Sequence, residues 1–327
     1  MIIIGVETTA HTFGVGIVTD KGKILANVKD SYTSKDVGMI PHEIAEHHEK
    51  FSEKILKEAF KAAKVEWKDI DLIAYSAGPG LDPVLWRGYT IISKWAKENQ
   101  KKMVGVNHCC AHLSIGKLWN KLKDPVYLYV SGVNTQIIVQ EQKKGKGSQK
   151  VGEGKYHVLG ETLDIGLGNM LDKFGRILDL GFPAGPRMEQ LAKKGKYLEL
   201  PYIVKGMDVS FSGLLTKAQQ LFERKQANKE DLCFSLQETA FAMCAEVAER
   251  ALAHSGKKEL LLVGGVGANK RFCEMLNLMC KERGAKFYQV PMDLAGDQGA
   301  MIAWEGFLRK DSYGDIEVNP HWRADEV

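Results

Sequence analysis

MIIIGVETTAHTFGVGIVTDKGKILANV, residues 1–28, opens this chain, and DPVYLYVSGVNTQIIVQ, residues 124–140, opens it a second time. In the first stretch the apolar run Ile2 to Val6 leads into a Thr-rich turn, then Val15 to Val18, then Asp20-Lys21-Gly22-Lys23 and Ile24 to Val28. That spacing predicts three short antiparallel strands joined by tight turns. In the second stretch Val126 to Val130 reads as a strand, Ser131 to Thr135 as a polar turn and Gln136 to Val139 as the next strand, with a third at Tyr156 to Leu159. A strand, a Thr-bearing turn, a strand, a hairpin and a strand therefore occur twice.

Each opening runs on into alternating helices and strands. Pro41 starts a helix through about Ala63, with Ile44, Phe51, Ile55 and Ala59 on one stripe. Leu72 to Ser76 is a buried strand that enters Gly78-Pro79-Gly80, and a helix follows. Lys102 to Val106 is the next strand, and Asn107 can cap a helix beginning at His108. In the second half, helices and Gly-rich turns precede a strand at Leu260 to Val263, a helix over about 270–283 and a strand at Lys286 to Val290; a last helix carries Ala300 to Leu308. The expected fold is α/β and two-lobed, with duplicated halves and a central nucleotide cleft, the topology of the sugar kinase and actin superfamily. The N-terminal lobe is expected at 1–124 and the C-terminal lobe at 125–299, with the last helix, in 300–327, packing back on the first lobe.

Composition is compatible with this and excludes much else. The 327 residues exceed the size at which a single core stops growing, about 250–300 residues. Hydrophobic residues at 44% and charged residues at 26% exclude a disordered chain, a collagen-like repeat and a coiled coil. No charge-free apolar stretch approaches the roughly 18 residues of a membrane span, and no basic flank precedes the apolar N-terminus, so no membrane association and no signal peptide are expected. A net charge of +4 is compatible with a nucleic-acid partner without demanding one. None of the six cysteines forms a Cys-x-x-Cys pair; reduced thiols and a cytoplasmic location, or a nuclear one in a eukaryote, are expected.

The chemistry concentrates at His108-Cys109-Cys110-Ala111-His112. Histidines at i and i+4 share one helix face, so both imidazoles can reach one cation. A helix N-terminus disfavours imidazolium, which is expected to keep both rings neutral, as ligands must be. A zinc protease would carry Glu where Cys109 stands. A third ligand, often a carboxylate, must come from elsewhere; Asp297, in the turn Gly296-Asp297-Gln298-Gly299, qualifies, although an Asp in such a turn is more often a cap. Three glycine turns accompany it: Ser131-Gly132-Val133-Asn134-Thr135, Phe182-Pro183-Ala184-Gly185-Pro186 and Gly264-Gly265-Val266-Gly267-Ala268-Asn269. The last follows a strand and opens a helix, a geometry that offers backbone N–H groups to a nucleotide, but it is no dinucleotide fingerprint.

Five longer segments carry a resemblance: Val104-Gly-Val-Asn-His-Cys-Cys-Ala-His112, Gly160-Glu-Thr-Leu-Asp-Ile-Gly166, Lys205-Gly-Met-Asp-Val-Ser-Phe-Ser-Gly213, Ser235-Leu-Gln-Glu-Thr239 and Val263-Gly-Gly-Val-Gly-Ala-Asn269. Together they resemble the tRNA N6-adenosine threonylcarbamoyltransferases, in the archaeal and eukaryotic branch that works in the KEOPS complex. The resemblance implies transfer of a threonylcarbamoyl group from its mixed anhydride with AMP to N6 of adenosine 37, in tRNAs reading codons that start with adenine. It implies one divalent metal, iron or zinc, on His108, His112, Asp297 and Tyr129. It implies a nucleotide (threonylcarbamoyl-AMP, ATP or AMP) on Ser131, Gly132, Asp172, Gly185, Glu189 and Asn269, with Tyr129, Val130 and Val133 in the same stretch. His11 and Glu7 are expected near the metal, and no general base is assigned. The implied partners are tRNA and the other subunits of the complex, a small atypical protein kinase and a dimerising subunit among them; the isolated chain, at +4, is expected to hold tRNA weakly.

Several positions depart from the family pattern. Val133 and Ala184 replace glycines, Gln298 replaces an asparagine, and Trp86 takes the place of an arginine. Val133 is expected to cost about 1 kcal/mol of nucleotide affinity through strain at a turn where glycine is usual. The hairpin Lys143 to Lys150 is longer and more basic than usual, the one basic cluster that could assist tRNA binding. Two other functions are compatible with the same fold: a small-molecule kinase, and a nucleotide-binding subunit without catalysis.

Overall fold

The computed structural model describes residues 1–33, 40–141, 154–311 and 317–327; the basic hairpin 143–150 lies outside them. In chain order the first elements are β1 (Ile2–Glu7), β2 (Thr12–Thr19), β3 (Ile24–Ser31), α1 (Pro41–Ala63), β4 (Leu72–Gly78), α2 (Asp82–Glu98), β5 (Met103–Asn107) and α3 (His108–Trp119). The next are β6 (Val126–Val130), β7 (Thr135–Gln140), β8 (Tyr156–Glu161), α4 (Leu167–Ile177), α5 (Gly185–Ala192), β9 (Val204–Lys205), β10 (Asp208–Val209), α6 (Ser212–Glu223) and α7 (Lys229–Ser255). The last are β11 (Glu259–Val263), α8 (Lys270–Glu282), β12 (Lys286–Gln289), α9 (Met292–Ala295) and α10 (Gly299–Arg309).

Residue contacts divide the chain into two compact units. One comprises Met1–Leu118, Gly296–Val327 and the described residues Glu141 and 154–156; the other comprises Trp119–Gln140 and His157–Ala295. The first holds a sheet of order β3-β2-β1-β4-β5, the second a sheet of order β12-β11-β6-β7-β8. In the first, β1 is antiparallel to β2 and parallel to β4, which is parallel to β5. In the second, β6 is antiparallel to β7 and parallel to β11, which is parallel to β12. The repeated opening thus builds the same sheet twice. The interval before β11, where the sequence shows only helices and glycine turns, holds α4 to α7 and the small β9–β10 hairpin.

Periodicity explains the covering helices. α1 buries Ile44, His48, Ile55 and Ala59 on one stripe, starts on Pro41, where a missing N–H costs nothing, and ends with Lys64 in the left-handed region. Phe51, expected on that stripe, is only half-buried and lies beneath the lysines 50 and 54. In the second unit α7 is buried along most of its 27 residues and forms the spine of a core with Phe174, Phe211, Phe241 and Phe272.

A different rule governs α10. Gly5 of β1 pairs with Gly16 of β2, and this side-chain-free saddle receives the first turn of α10. A Cβ on Gly5 would lie 2.1 Å from Ala303 N, and one on Gly16 would lie 2.0 Å from Ala300 N. Farther along, Gly306 lies against Ala74 of β4, where a Cβ would come within 2.3 Å. The small residues Gly299, Ala303 and Gly306 therefore let backbone pack on backbone, and Ile302, Met301 and Trp304 fill the surrounding core.

We expect Gly16→Ala to destabilise the protein by about 3 kcal/mol, the upper range for overpacking, because backbone on both sides cannot yield. Gly185→Ala, where nothing lies within 4 Å of the added methyl, should stay within about 0.5 kcal/mol. Denaturant unfolding of both variants checks the contrast.

Candidate metal centre and nucleotide turns

In the first unit β5 delivers α3 directly. Asn107 accepts the Cys110 N–H at 3.1 Å, the expected cap, and its amide donates to the Trp322 carbonyl at 3.0 Å. The capped helix is buried from His108 to Gly116. His108 and His112 present their rings side by side, with centroids 4.7 Å apart and planes at 84°. Asp297 reaches them from the turn before α10: its Oδ1 lies 3.3 Å from His112 Nε2 and 3.6 Å from His108 Nε2. One donor atom from each of the three lies within 4.8 Å of the others, and they form the only such His/Cys/Asp/Glu group among the described residues. A tetrahedral site with bonds of about 2.0–2.1 Å has edges of about 3.3–3.4 Å, so this donor set fits a divalent cation.

Glu7, at the end of β1, is fully buried and accepts from His108 Nδ1 at 2.9 Å, from the Thr9 N–H at 2.7 Å and from the Thr9 hydroxyl. With the Nδ1 proton on the Glu7 side, the His108 Nε2 lone pair faces Asp297, the arrangement in which a carboxylate orients a metal-ligating histidine. Burial opposes charge on His108, but the Glu7 field and hydrogen bond, with Asp297, outweigh it and push the imidazole up to about 9. This corrects the expectation that the helix N-terminus keeps both rings neutral: His112 is lowered by burial, whereas His108 keeps a proton that a metal must displace. Burial also opposes charge on Asp297, yet the His112 hydrogen bond and the His108 charge hold its carboxyl well below the usual range. Lys29 donates to the Asp297 carbonyl at 3.0 Å, and His11 is near enough for its charge to act on the Asp297 carboxyl. Cys110 points away, toward the Ala324 carbonyl at 3.7 Å, and burial pushes its thiol up. Tyr129, next to last in β6, is 1% exposed and belongs to the second unit.

The second unit holds the residues expected at the nucleotide. The Ser131 carbonyl accepts the Gly168 N–H at 3.1 Å, the Gly132 carbonyl accepts the Asn169 N–H at 2.8 Å, and the Thr135 hydroxyl accepts the Leu167 N–H at 2.9 Å. The 131–135 turn is thus docked on the first turn of α4. Gly166 and Gly168 permit this, since a Cβ at either would lie within 2.6 Å of a turn carbonyl. Asp164 anchors the segment before them: burial favours its neutral form, but the Ser210 hydroxyl and the N–H groups of Phe211, Ile165 and Ser212 hold its carboxyl at about 2. Gly264, at φ +95°, lies against Val130, where a Cβ would come 2.3 Å from the carbonyl, so the 264–269 turn adjoins the 131–135 turn. Asp172 accepts the Ala184 N–H at 2.8 Å and so holds the start of α5; burial raises its carboxyl, with that N–H and Arg176 opposing. Glu189 accepts the Lys270 N–H at 3.2 Å.

Gly132, Gly185 and Gly265 are a separate class. No φ in the left-handed region requires glycine there, and a Cβ would meet only Asn169 Oδ1 at 3.4 Å for Gly132 and nothing within 4 Å for the other two. All three lie in the three glycine turns, where an open Cβ position leaves the backbone accessible to a ligand. Val133 lies outside the left-handed region and is 69% exposed, so the strain expected of it is absent. The Ala184 methyl fills the space beside Gly175 in the core, Gln298 caps α10 through Oε1 to Met301 N–H, and Trp86 is a half-exposed residue of α2 packed edge-on to Tyr89. Asn269 is bonded within the fold through both polar atoms. Its partner Gln237, the Glu7 bond to His108 and the docking of α4 were not legible as site features; the spacing of Gly166 and Gly168 was the one sequence signal for the last.

A sequence model of the tRNA N6-adenosine threonylcarbamoyltransferase family matches residues 23–304. Proteins of that description from Thermococcus kodakarensis and Thermococcus sibiricus are 50% and 52% identical, over 100% of this chain and 98% and 99% of their own lengths. A protein of Methanocaldococcus jannaschii described as a probable bifunctional tRNA threonylcarbamoyladenosine biosynthesis protein is 47% identical over 100% of this chain and 60% of its own length. Among solved structures, HypF of T. kodakarensis aligns with a TM-score of 0.63 at 17% identity, over 97% of this chain and 48% of that one. Component A of the (R)-2-hydroxyglutaryl-CoA dehydratase of Acidaminococcus fermentans aligns at 0.54 and 13%, over 95% and 98%. At such identities the structural likeness speaks for the fold alone, and no helix among the described residues is long and apolar enough to cross a membrane.

Glu7→Gln should lower metal affinity by about 10–100-fold, the usual effect of removing a carboxylate behind a ligating histidine. Because His108 holds its proton up to about 9, metal uptake at neutral pH should release a proton, and apparent affinity should fall as the pH drops below that value, by about tenfold per pH unit. Chelator competition across pH measures both effects; unchanged affinity in a folded Glu7→Gln protein contradicts the assignment. His108→Ala should lose stoichiometric metal by elemental analysis.

Proposed function

This chain belongs to the tRNA N6-adenosine threonylcarbamoyltransferase family, and on that premise we propose that it transfers the threonylcarbamoyl group of threonylcarbamoyl-AMP to N6 of adenosine 37 in tRNAs reading codons that start with adenine. The His108, His112 and Asp297 set, its two histidines buried and Glu7 behind it, is the observation that carries the reading. An exocyclic amine is a poor nucleophile, so the reaction needs an electrophilic carbonyl and a stabilised leaving AMP. When bound, a divalent cation, iron or zinc, supplies Lewis-acid charge to substrate oxygens.

The chain's own groups do the rest. Glu7 keeps a proton on His108 Nδ1 and leaves Nε2 as a donor atom. Asp297 brings a carboxylate that stays ionised, and Glu7 and Asp297 together balance a doubly charged cation. In the second unit the backbone at Gly132, Gly185 and Gly265, where no side chain intervenes, takes the phosphate and adenosine portions of the substrate. Asp172 and Glu189 bring carboxylates to the same turns as acceptors for ribose and adenine. His11 is proposed as a neighbour of the metal.

tRNA itself, a small atypical kinase and a dimerising subunit are the partners proposed, because a net charge of +4 gives this chain a weak field for phosphate. Incubation of tRNA with threonine, bicarbonate, ATP, the synthase that forms threonylcarbamoyl-AMP and those partners should yield N6-threonylcarbamoyladenosine by nucleoside mass spectrometry. His108→Ala should reduce the yield by at least about 100-fold, the order of effect expected when one essential electrostatic group is removed. A complete mixture that forms no modified nucleoside, or ATP turnover that responds to a small sugar or acid instead, would overturn the proposal.

A further inference from the structure

Gln237 lies two turns into α7, only 3% exposed, and its amide has a single workable orientation. Nε2 faces two carbonyls, those of Cys233 at 3.3 Å and Met188 at 3.4 Å, so the NH2 must be on that side. Oε1 therefore faces Asn269 and accepts its Nδ2 at 2.7 Å. That bond in turn orients Asn269, whose Oδ1 accepts the Phe272 N–H at 3.0 Å and caps α8. One turn farther along α7, Phe241 stacks on Phe272 with centroids 4.7 Å apart and planes at 22°. The start of α8 is held to α7 at two points, a buried amide pair and a stacked ring pair.

The same amide reaches α5. Met188, whose carbonyl it meets, precedes Glu189, and Glu189 accepts the Lys270 N–H directly after Asn269. Gln237 is thus at the junction between the helix that carries Gly185 and Glu189 and the turn that runs from Gly264 to Asn269. We propose that Gln237 is a positioning residue for the nucleotide: through Asn269 and Met188 it sets the spacing between α5 and the 264–269 turn that the ligand must span. Asn269 is then a rigid relay between Gln237 and the turn as well as a neighbour of the ligand. This rests on the reading that those turns hold a nucleotide.

The test uses the full chain and, for turnover, its complete assembly. Gln237→Met keeps the volume and removes all three hydrogen bonds. Ser235→Ala removes a buried hydroxyl from the same helix that bonds the Leu198 N–H at 2.7 Å, away from the turn. For Gln237→Met, AMP affinity by calorimetry should fall about tenfold, as expected when a buried amide partner is lost. The KM for threonylcarbamoyl-AMP should rise by the same factor with kcat little changed, and the Phe272 amide should exchange faster with solvent. Ser235→Ala should keep the parent affinity at a similar cost in thermal stability. Gln237→Glu retains the acceptor for Asn269, and its affinity should recover as the pH is lowered and the buried carboxyl gains a proton to donate to the two carbonyls. Parent-like AMP affinity and Phe272 exchange in Gln237→Met would overturn the proposal. A parent protein that binds no AMP would overturn the nucleotide reading itself, whatever the variants do.

Discussion

One backbone-on-backbone contact in the first unit bears on its candidate metal centre: the first turn of α10 lies on the Gly5–Gly16 pair with no side chain between the two backbones. Asp297 lies just before that turn, far along the chain from the α3 histidines it approaches. A methyl group on either glycine would lift α10 from the sheet, and a shift of even an ångström exceeds the tolerance of a coordination polyhedron. Backbone packing of this kind gives up side-chain burial locally, and the flanking Ile302, Met301 and Trp304 restore it. The three donors are consequently held by β5 with its capped helix, by the sheet and by α10, none of which is a free loop.

Proton placement is the second constraint. Two carboxylates and two imidazoles occupy a space largely removed from water, and burial disfavours charge on each of them. The Glu7 field and hydrogen bond raise the His108 imidazole against its burial, the His112 hydrogen bond and the His108 charge lower the Asp297 carboxyl, and burial lowers His112. In the proposed centre a divalent cation would take the place of the His108 Nε2 proton while the Nδ1 bond to Glu7 is kept. The helix dipole, a fraction of a charge at α3's first turn, acts against imidazolium but is weaker than a full carboxylate at 2.9 Å.

In the second unit glycine serves two opposite purposes. Gly166, Gly168 and Gly264 are filled sites, where the protein's own backbone occupies the place of a side chain and binds the 131–135 turn to α4 and to the 264–269 turn. Gly132, Gly185 and Gly265 are open sites that packing does not require. The first group builds a rigid frame and the second leaves backbone uncovered on it. Family membership gives the open sites their meaning, because a turn with exposed N–H groups is suited to a phosphate only if it is held still. Asp164, which ties the Gly160–Gly166 segment to the start of α6 through hydrogen bonds that favour its ionised form, contributes to that stillness.

By itself the sequence determined the duplicated α/β plan and the family, and it named the residues of the candidate centre. Strand and helix periodicities are local properties, and the double opening at Ile2 and Val126 shows them twice. Histidines four apart on a capped helix require only the geometry of one helix, and the five long motifs were sufficient to indicate the family. Tertiary structure alone decided that Glu7 lies 2.9 Å from His108 Nδ1, that Val133 is unstrained, that the Ala184 methyl belongs to the core and that Gln237 bonds Asn269. Each of these depends on an approach between residues far apart in the chain, or on a backbone angle that residue type does not dictate. The filled and open glycines look alike in sequence for the same reason: a glycine shows that a side chain is missing, and only the packed structure shows what occupies its place.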